Sequence, residues 1–288
     1  MAFAAKKAVV EIQPIKMRRI IIDIVGTTPF IMHRFNAKAW RELLYPSQRK
    51  NRNERATSLK HDPVEEYRGS FYLNRDPKTP TLFHLPDGMV HGCLSSSALD
   101  VDGPAKAQIE RWTNVVSENI NLYGLPVLGM DMVRSSDAAR TPDVRTRPFF
   151  PQWACTVEIE YKVNPLTDEQ IMNLLASAGQ IVGMGDGRPQ KARRYGKFRI
   201  CGPDDHEFLE ITKTMGRKPQ EKRYYDPIER DEDTAELLSW FNAEVARRRQ
   251  ERAPQGQAQE RKRRSGNPNG SRKGPANGRL PAIAPDLQ

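Results

Sequence analysis

The chain has 288 residues, a hydrophobic share of 38% and a formal net charge of +10. That length suits one large domain or two small ones with tails, and so low an apolar share leaves part of the chain without material for a core. No apolar run approaches the roughly 18 residues a membrane span needs, and residues 1–10 lack a signal-peptide pattern, so a cytoplasmic protein without membrane contact is expected. Cys93, Cys155 and Cys201 are odd in number, widely spaced and outside any C-x-x-C pair, which argues against a disulfide framework and against zinc. No cofactor is expected.

The location of the charge says more than its size. From Arg247 onward eleven basic residues face three acids, so +8 of the +10 sits in the last 42 residues and the preceding body carries only +2. An anion-binding surface on that body requires local clustering.

In chain order, residues 1–16 form an N-terminal extension and Arg18 to Val25 a β-branched run, expected as a central strand buried on both faces. Gly26 to Pro29 end it, Phe30 to Met32 follow as an apolar patch, and a helix is expected from Asn36 to Leu44. Tyr45 to Lys78 reads as a mobile charged insert, with four basic residues between Arg49 and Arg55 and a short helix near Pro63 to Phe71. Thr81 to Val90, with Pro86-Asp87-Gly88 at its centre, has the pattern of a tight hairpin, followed by a helix from Gly92 to Leu99. Ala105 to Ile120 is helical or partly so, Leu125 to Val133 a strand, and a loop rich in Arg, Asp and Pro runs to Pro148.

The clearest unit comes next. Cys155, Val157, Ile159, Tyr161 and Val163 alternate with polar residues, which marks a half-exposed strand. Thr167 with Gln170 forms a capping box for a helix whose face carries Ile171, Leu174, Leu175 and Ala178. A glycine-rich stretch leads to a strand from Gly196 to Cys201. Asp233 to Arg249 reads as a helix within a linker region, 216–249, and residues 250–288 as a disordered polycation.

Three constellations carry candidate chemistry. Gly183-Met184-Gly185-Asp186-Gly187-Arg188-Pro189 is no P-loop, because no Gly-Lys-Ser/Thr follows. Its glycines either let backbone N–H groups approach a phosphate or form a turn that sets the last strand beside the first. Lys191, Arg193, Arg194, Tyr195 and Lys197 come directly after, mixing charges that neutralise phosphates with a ring that can stack on an unpaired base, while Phe198 belongs to the core. Arg134, Arg140, Arg145 and Arg147 are either a backbone clamp or a surface loop paired with Asp137 and Asp143. His33 and Arg34, at the end of the first apolar segment, are phosphate or base contacts or a polar strand end, and His33 alone could act as a general base. Arg261, Lys262, Arg263 and Arg264 add nonspecific affinity from the arm. The remaining histidines have no ligand spacing, and Ser95 to Ser97 lack a nucleophile elbow.

The segments Ala178 to Gly185 and Tyr195-Gly196-Lys197-Phe198, in the order strand, helical region, hairpin, β-α-glycine loop-β, resemble the ferredoxin-like RAMP proteins of CRISPR complexes. Thr28-Pro29-x-x-x-His33-Arg34-Phe35 and Arg145-x-Arg147-Pro148 are similar to a group of phage-encoded proteins. The resemblance covers residues 17–215 and implies an α+β, ferredoxin-like body with an antiparallel sheet and helices on one face. It also implies binding of single-stranded nucleic acid, DNA or RNA, without catalysis, and self-association along the strand. The charged insert and basic arm depart from that pattern and suit a general single-strand binder. Two alternatives stand beside it: a metal-independent RNA endonuclease using His33, and an anti-defence protein that mimics a RAMP subunit.

Overall fold

The computed structural model describes residues 14–35, 40, 44, 61–134 and 140–265, with side chains described as far as Gln250 except for Arg249. Residues up to Glu236 form one compact unit and those from Leu237 a second. Among the described residues, no helix is long and apolar enough to cross a membrane.

A four-stranded sheet organises the first unit. β1 (Met17–Gly26) pairs antiparallel with both β8 (Ala154–Lys162) and β9 (Phe198–Cys201), and β4 (Thr113–Val115) pairs antiparallel with β8, giving the order β4-β8-β1-β9. Helices α2 (Asp87–Ser97) and α3 (Lys106–Trp112) connect β1 to β4, and α4 (Asp168–Ser177) connects β8 to β9. Taken alone, these elements run β-α-β-β-α-β, with each βαβ unit split by the strand inserted between its ends.

Alternation fixes the faces. Ile22, Ile24, Val157, Ile159 and Tyr161 are buried against Val90, Cys93 and Leu94 of α2 and Ile171, Leu174 and Leu175 of α4. The opposite face corrects the expectation of a strand buried on both sides, because Ile21 is 69% exposed and its neighbours are polar. A β-branched run is compatible with a one-sided sheet when one residue is left to solvent. Among the described residues that face is covered at one end, where α5 (His206–Thr214) sets Phe208 and Ile211 on Val25 and Ala154. Helices therefore lie on both faces.

Between β4 and β8 the chain inserts β5 (Asn119–Asn121) and a long hairpin, β6 (Val127–Arg134) with β7 (Pro142–Phe150). Of the residues expected to form a loop up to Pro148, those from Pro142 onward are thus a strand, and 135–139 lie outside the described residues. Pairing with β6 along its length, and with β2 (Phe30–Ile31) at its base, satisfies the backbone despite two prolines. The hairpin expected around Pro86-Asp87-Gly88 is absent. β3 (His84–Pro86) pairs with β5 instead, and Asp87 opens α2, where a carboxylate complements the helix dipole.

The helix expected over 36–44 lies outside the described residues except at Trp40 and Leu44, as does the insert over 45–60. In the remainder of that insert the short helix expected near Pro63 to Phe71 is present and packs into the core, whereas Arg75 to Lys78 are exposed outside any helix or strand. α1 (Pro63–Gly69), capped by Asp62, buries Tyr67 completely, and Phe71 stacks on Phe83 at 4.2 Å. The stretch expected as a linker contains α6 (Arg217–Tyr225), tied into the first unit by fully buried Gln220. Its Oε1 accepts from Leu82 N at 2.7 Å and its Nε2 donates to Leu122 O at 2.8 Å and Gly124 O at 3.1 Å.

The final helix, α7, runs Glu232–Ser265 and so passes the expected end at Arg249. Ala, Gln, Glu, Arg and Lys are good helix formers and favour this continuation, against the cost of Pro254 and Gly256 within it. The side chains of Arg261, Lys262, Arg263 and Arg264, and all of residues 266–288, lie outside what is described.

Candidate nucleic-acid interface

A groove of about 510 Å³ opens between the β6–β7 hairpin and the turn that precedes β9. Three segments distant in sequence meet there: Ile31 of β2 with His33 just after it, Asp131 to Arg134 with Arg145 and Arg147 on the hairpin, and Asp186, Gly187, Lys191, Arg193 and Tyr195 from the turn. Five cations therefore face two carboxylates.

The carboxylates are already neutralised. Arg147, buried with its side chain only 9% exposed, donates to Asp131 at 2.7 Å and also pairs with Asp186. Asp131 is held from its other oxygen by Arg230 at 3.1 Å, and Arg230 lies over the Phe149 ring at 4.4 Å. His33 Nδ1 lies 3.5 Å from Asp186. That contact first, and Arg147 next, hold the Asp186 carboxyl well below the usual carboxylate range against the opposing effect of burial. The floor of the groove is thus a closed network joining hairpin, turn and strand end. Arg147, a candidate phosphate contact by sequence, is its centre and has no group to spare beyond a buried Nε.

The rim differs. Arg134, Lys191 and Arg193 are exposed and make no ion pair among the described residues, while Arg145 reaches Asp143 only at 4.0 Å. Half-buried Tyr195 packs edge-on against Phe149 at 5.8 Å, with the Arg194 guanidinium 5.8 Å from its ring. Cations with a partly open ring are what a phosphate-linked base can use.

The glycine turn is structural in its backbone. Gly185 has φ +79°, and a Cβ there would stand 2.4 Å from the Phe30 ring and 2.5 Å from Ile31 O, so only glycine permits this approach to β2. The N–H groups of Gly183, Met184, Asp186 and Gly187 donate to Ala178 O, Gly196 O, Ile31 O and the Asp186 side chain. They are spent inside the protein, so the expected phosphate approach through Gly183 and Gly187 is not what the turn offers.

Other expected contacts fall elsewhere. Arg188 turns to the opposite side of the glycine segment, donating to Gly185 O and Gln190. Arg34 lies 5.8 Å over the Tyr72 ring. Lys197 joins the end of β1 through its backbone, donating to Thr28 Oγ1 and accepting from Thr27 N, and its side chain does not line the groove. Phe198 is buried, as expected of a core residue. Arg140 does not line the groove, whereas Arg134 does. Sequence reasoning missed Asp131, Asp186 and Arg230 as one network; no spacing signals it, since the hydrogen-bonded partners lie 16 to 99 residues apart.

Among the described residues no group of three or more His, Cys, Asp or Glu could hold a metal ion. Burial pushes the Cys93 thiol up to about 12 and Cys201 to about 11, which leaves both poor nucleophiles.

No family model matches the chain, and no curated protein matches it. Among solved structures, the chain is similar to one in the cryo-EM structure of the Type III-B Cmr-beta bound to cognate target RNA, at TM-score 0.37 and 13% identity, over 65% of this chain and 60% of that one. It is also similar to Cmr6 from Pyrococcus furiosus, at TM-score 0.34 and 8% identity, over 65% of this chain and 98% of that one.

Proposed function

We propose that the chain binds single-stranded nucleic acid in the groove between the β6–β7 hairpin and the glycine turn, without catalysing a reaction on it. One observation carries the reading: Asp131 and Asp186 are both paired with buried Arg147, and Asp131 with Arg230 as well, so the rim presents Arg134, Lys191 and Arg193 without an ion pair among the described residues. Phosphates take the rim and a base takes Tyr195. A groove of about 510 Å³ suits one strand rather than a duplex.

The strand order β4-β8-β1-β9, read as second, third, first and fourth strands of the split βαβ pair, supports a ferredoxin-like, RAMP-type body. The open sheet face bears Arg19, Ile21, Asp23, Thr156, Glu158 and Glu160, without an aromatic ring, which disfavours it as the stacking platform of an RRM. The basic segment from Arg247 adds electrostatic affinity and raises the local concentration of the body on the strand. Self-association along the strand is part of this proposal.

The test is fluorescence anisotropy with single-stranded RNA, single-stranded DNA and duplex DNA at two salt concentrations. Binding of single strands, weakened by Lys191→Ala with Arg193→Ala, is expected; equal binding by that variant overturns the groove.

A second reading has one observation in its favour. Asp186 stands beside His33 Nδ1, the arrangement that orients an imidazole whose other nitrogen could take a proton from a ribose hydroxyl. Incubation with labelled RNA decides it: products that vanish with His33→Ala support an endonuclease.

A further inference from the structure

The glycine turn has two sides. Asp186 and Gly187 face the groove, whereas Gly183, Gly185 and Arg188 line a separate cavity of about 380 Å³ against α2 and Tyr72. Tyr72, Met89 and Val182 give this cavity an apolar wall, and Gln190 and Ser96 add polar groups. Its cation is Arg188, whose Nε and Nη1 are engaged by Gln190 and Gly185 O at 3.1 and 3.2 Å, which fixes the guanidinium while its Nη2 makes no hydrogen bond among the described residues. Arg34 lies over Tyr72 and adds a second positive charge beside the cavity. Space is kept open from the helix side, because a Cβ on Gly92 would have no heavy atom within 4 Å.

We propose that this cavity is a second nucleotide subsite, taking the base of a nucleotide neighbouring the one held in the groove, with its phosphate at Arg188. The inference rests on the single-strand reading above. An apolar wall with one fixed, partly unsatisfied guanidinium suits a nucleobase joined to a phosphate. The shared turn makes the two subsites near neighbours, so that one strand passes over residues 185–188 and uses both. Arg34 and Arg188, which do not line the groove, acquire a place in this path.

The experiment fills the cavity. In Gly92→Leu the new side chain enters open space on a helix, where leucine is a better helix former than glycine, so the melting temperature is expected unchanged or higher. Affinity for a single-stranded RNA of about ten nucleotides is expected to fall about tenfold, the scale of losing one base contact. Cross-linking of a 4-thiouridine strand to the parent, mapped by mass spectrometry, is expected to mark the peptide holding Tyr72 or Met89. Parental affinity in Gly92→Leu, or cross-links confined to the Tyr195 peptide, overturns the subsite while leaving the groove standing. A parent that binds no single strand removes both readings. Free mononucleotide competing at concentrations near the strand's own would assign the cavity to a free nucleotide and overturn its role in the strand path.

Discussion

The open face of the four-stranded sheet and the groove beside the hairpin carry similar residues and opposite electrostatics. On the sheet, Arg19 reaches Glu160 at 2.9 Å and Glu158 at 3.6 Å, Arg199 is held by Asp205 and Glu207, and Asp23 accepts from Thr156. Both of these arginines have acids. In the groove the acids are the partnered species, because buried Arg147 bridges both carboxylates, Arg230 holds Asp131 as well, and the rim cations are left over. A body carrying only +2 can thus present a cationic surface without an unusual composition. What counts is which partner of each pair is buried.

Arg147→Met should do the most damage, since it uncovers both carboxylates at once. Breaking a buried pair costs about 3–5 kcal/mol; Asp131 and Asp186 keep partial exposure, so about 2 kcal/mol is expected, seen as a lower melting temperature. Single-strand binding should weaken, because the uncovered carboxylates then compete with phosphate for the four remaining cations. A stable variant with parental affinity would break the comparison.

Charge reversal on the rim comes next. Lys191→Glu with Arg193→Glu should lower affinity about a hundredfold at low salt, on the order of tenfold per phosphate contact, with little change in melting temperature. Removal of the residues after Ala246 should weaken binding less and flatten its salt dependence, because each lost single-strand phosphate contact removes about 0.7 from the slope. An unchanged slope would deny the arm that role.

Acid sharpens the same contrast. Asp186 has a depressed carboxyl in the folded state, so it binds its proton less readily there than in the unfolded chain. Its contribution is complete above an unfolded value of about 4 and is lost as the pH falls below it. Asp186→Asn should flatten the loss of stability below pH 4 in thermal melts. The smallest effect belongs to the sheet: Arg19→Ala should change binding less than about twofold and leave the melting temperature close to the parent's, as for an exposed pair.

How far the sequence was legible follows from the range of the forces involved. Alternation over Cys155 to Val163 and the Thr167–Gln170 capping box are local, and both stand in the structure, the latter with Thr167 accepting from Gln170 N. The hairpin strand over Pro142–Phe150 was hidden because its stabilising partner is β6 and its own sequence is polar and proline-bearing. Asp87-Gly88 looked like a turn because that dipeptide also serves a helix start, and only pairing of His84–Pro86 with Asn119–Asn121 separates the two. At the site, clustering of Lys191, Arg193 and Tyr195 was visible as a run. That His33 and Arg145 would join them was an assumption until the fold brought the segments together, and the neutralised acids could not be read from any one segment.

The central claim is that the rim of the groove, and not the sheet face, meets the nucleic acid. Anisotropy titrations of one labelled single-stranded RNA at 50 and 200 mM salt, with the parent, Lys191→Glu/Arg193→Glu and Arg19→Ala side by side, test it most directly. If the rim binds, the rim variant loses affinity and about 1.4 of the salt slope while Arg19→Ala tracks the parent. Equal binding by the rim variant and the parent, or a loss confined to Arg19→Ala, would contradict it.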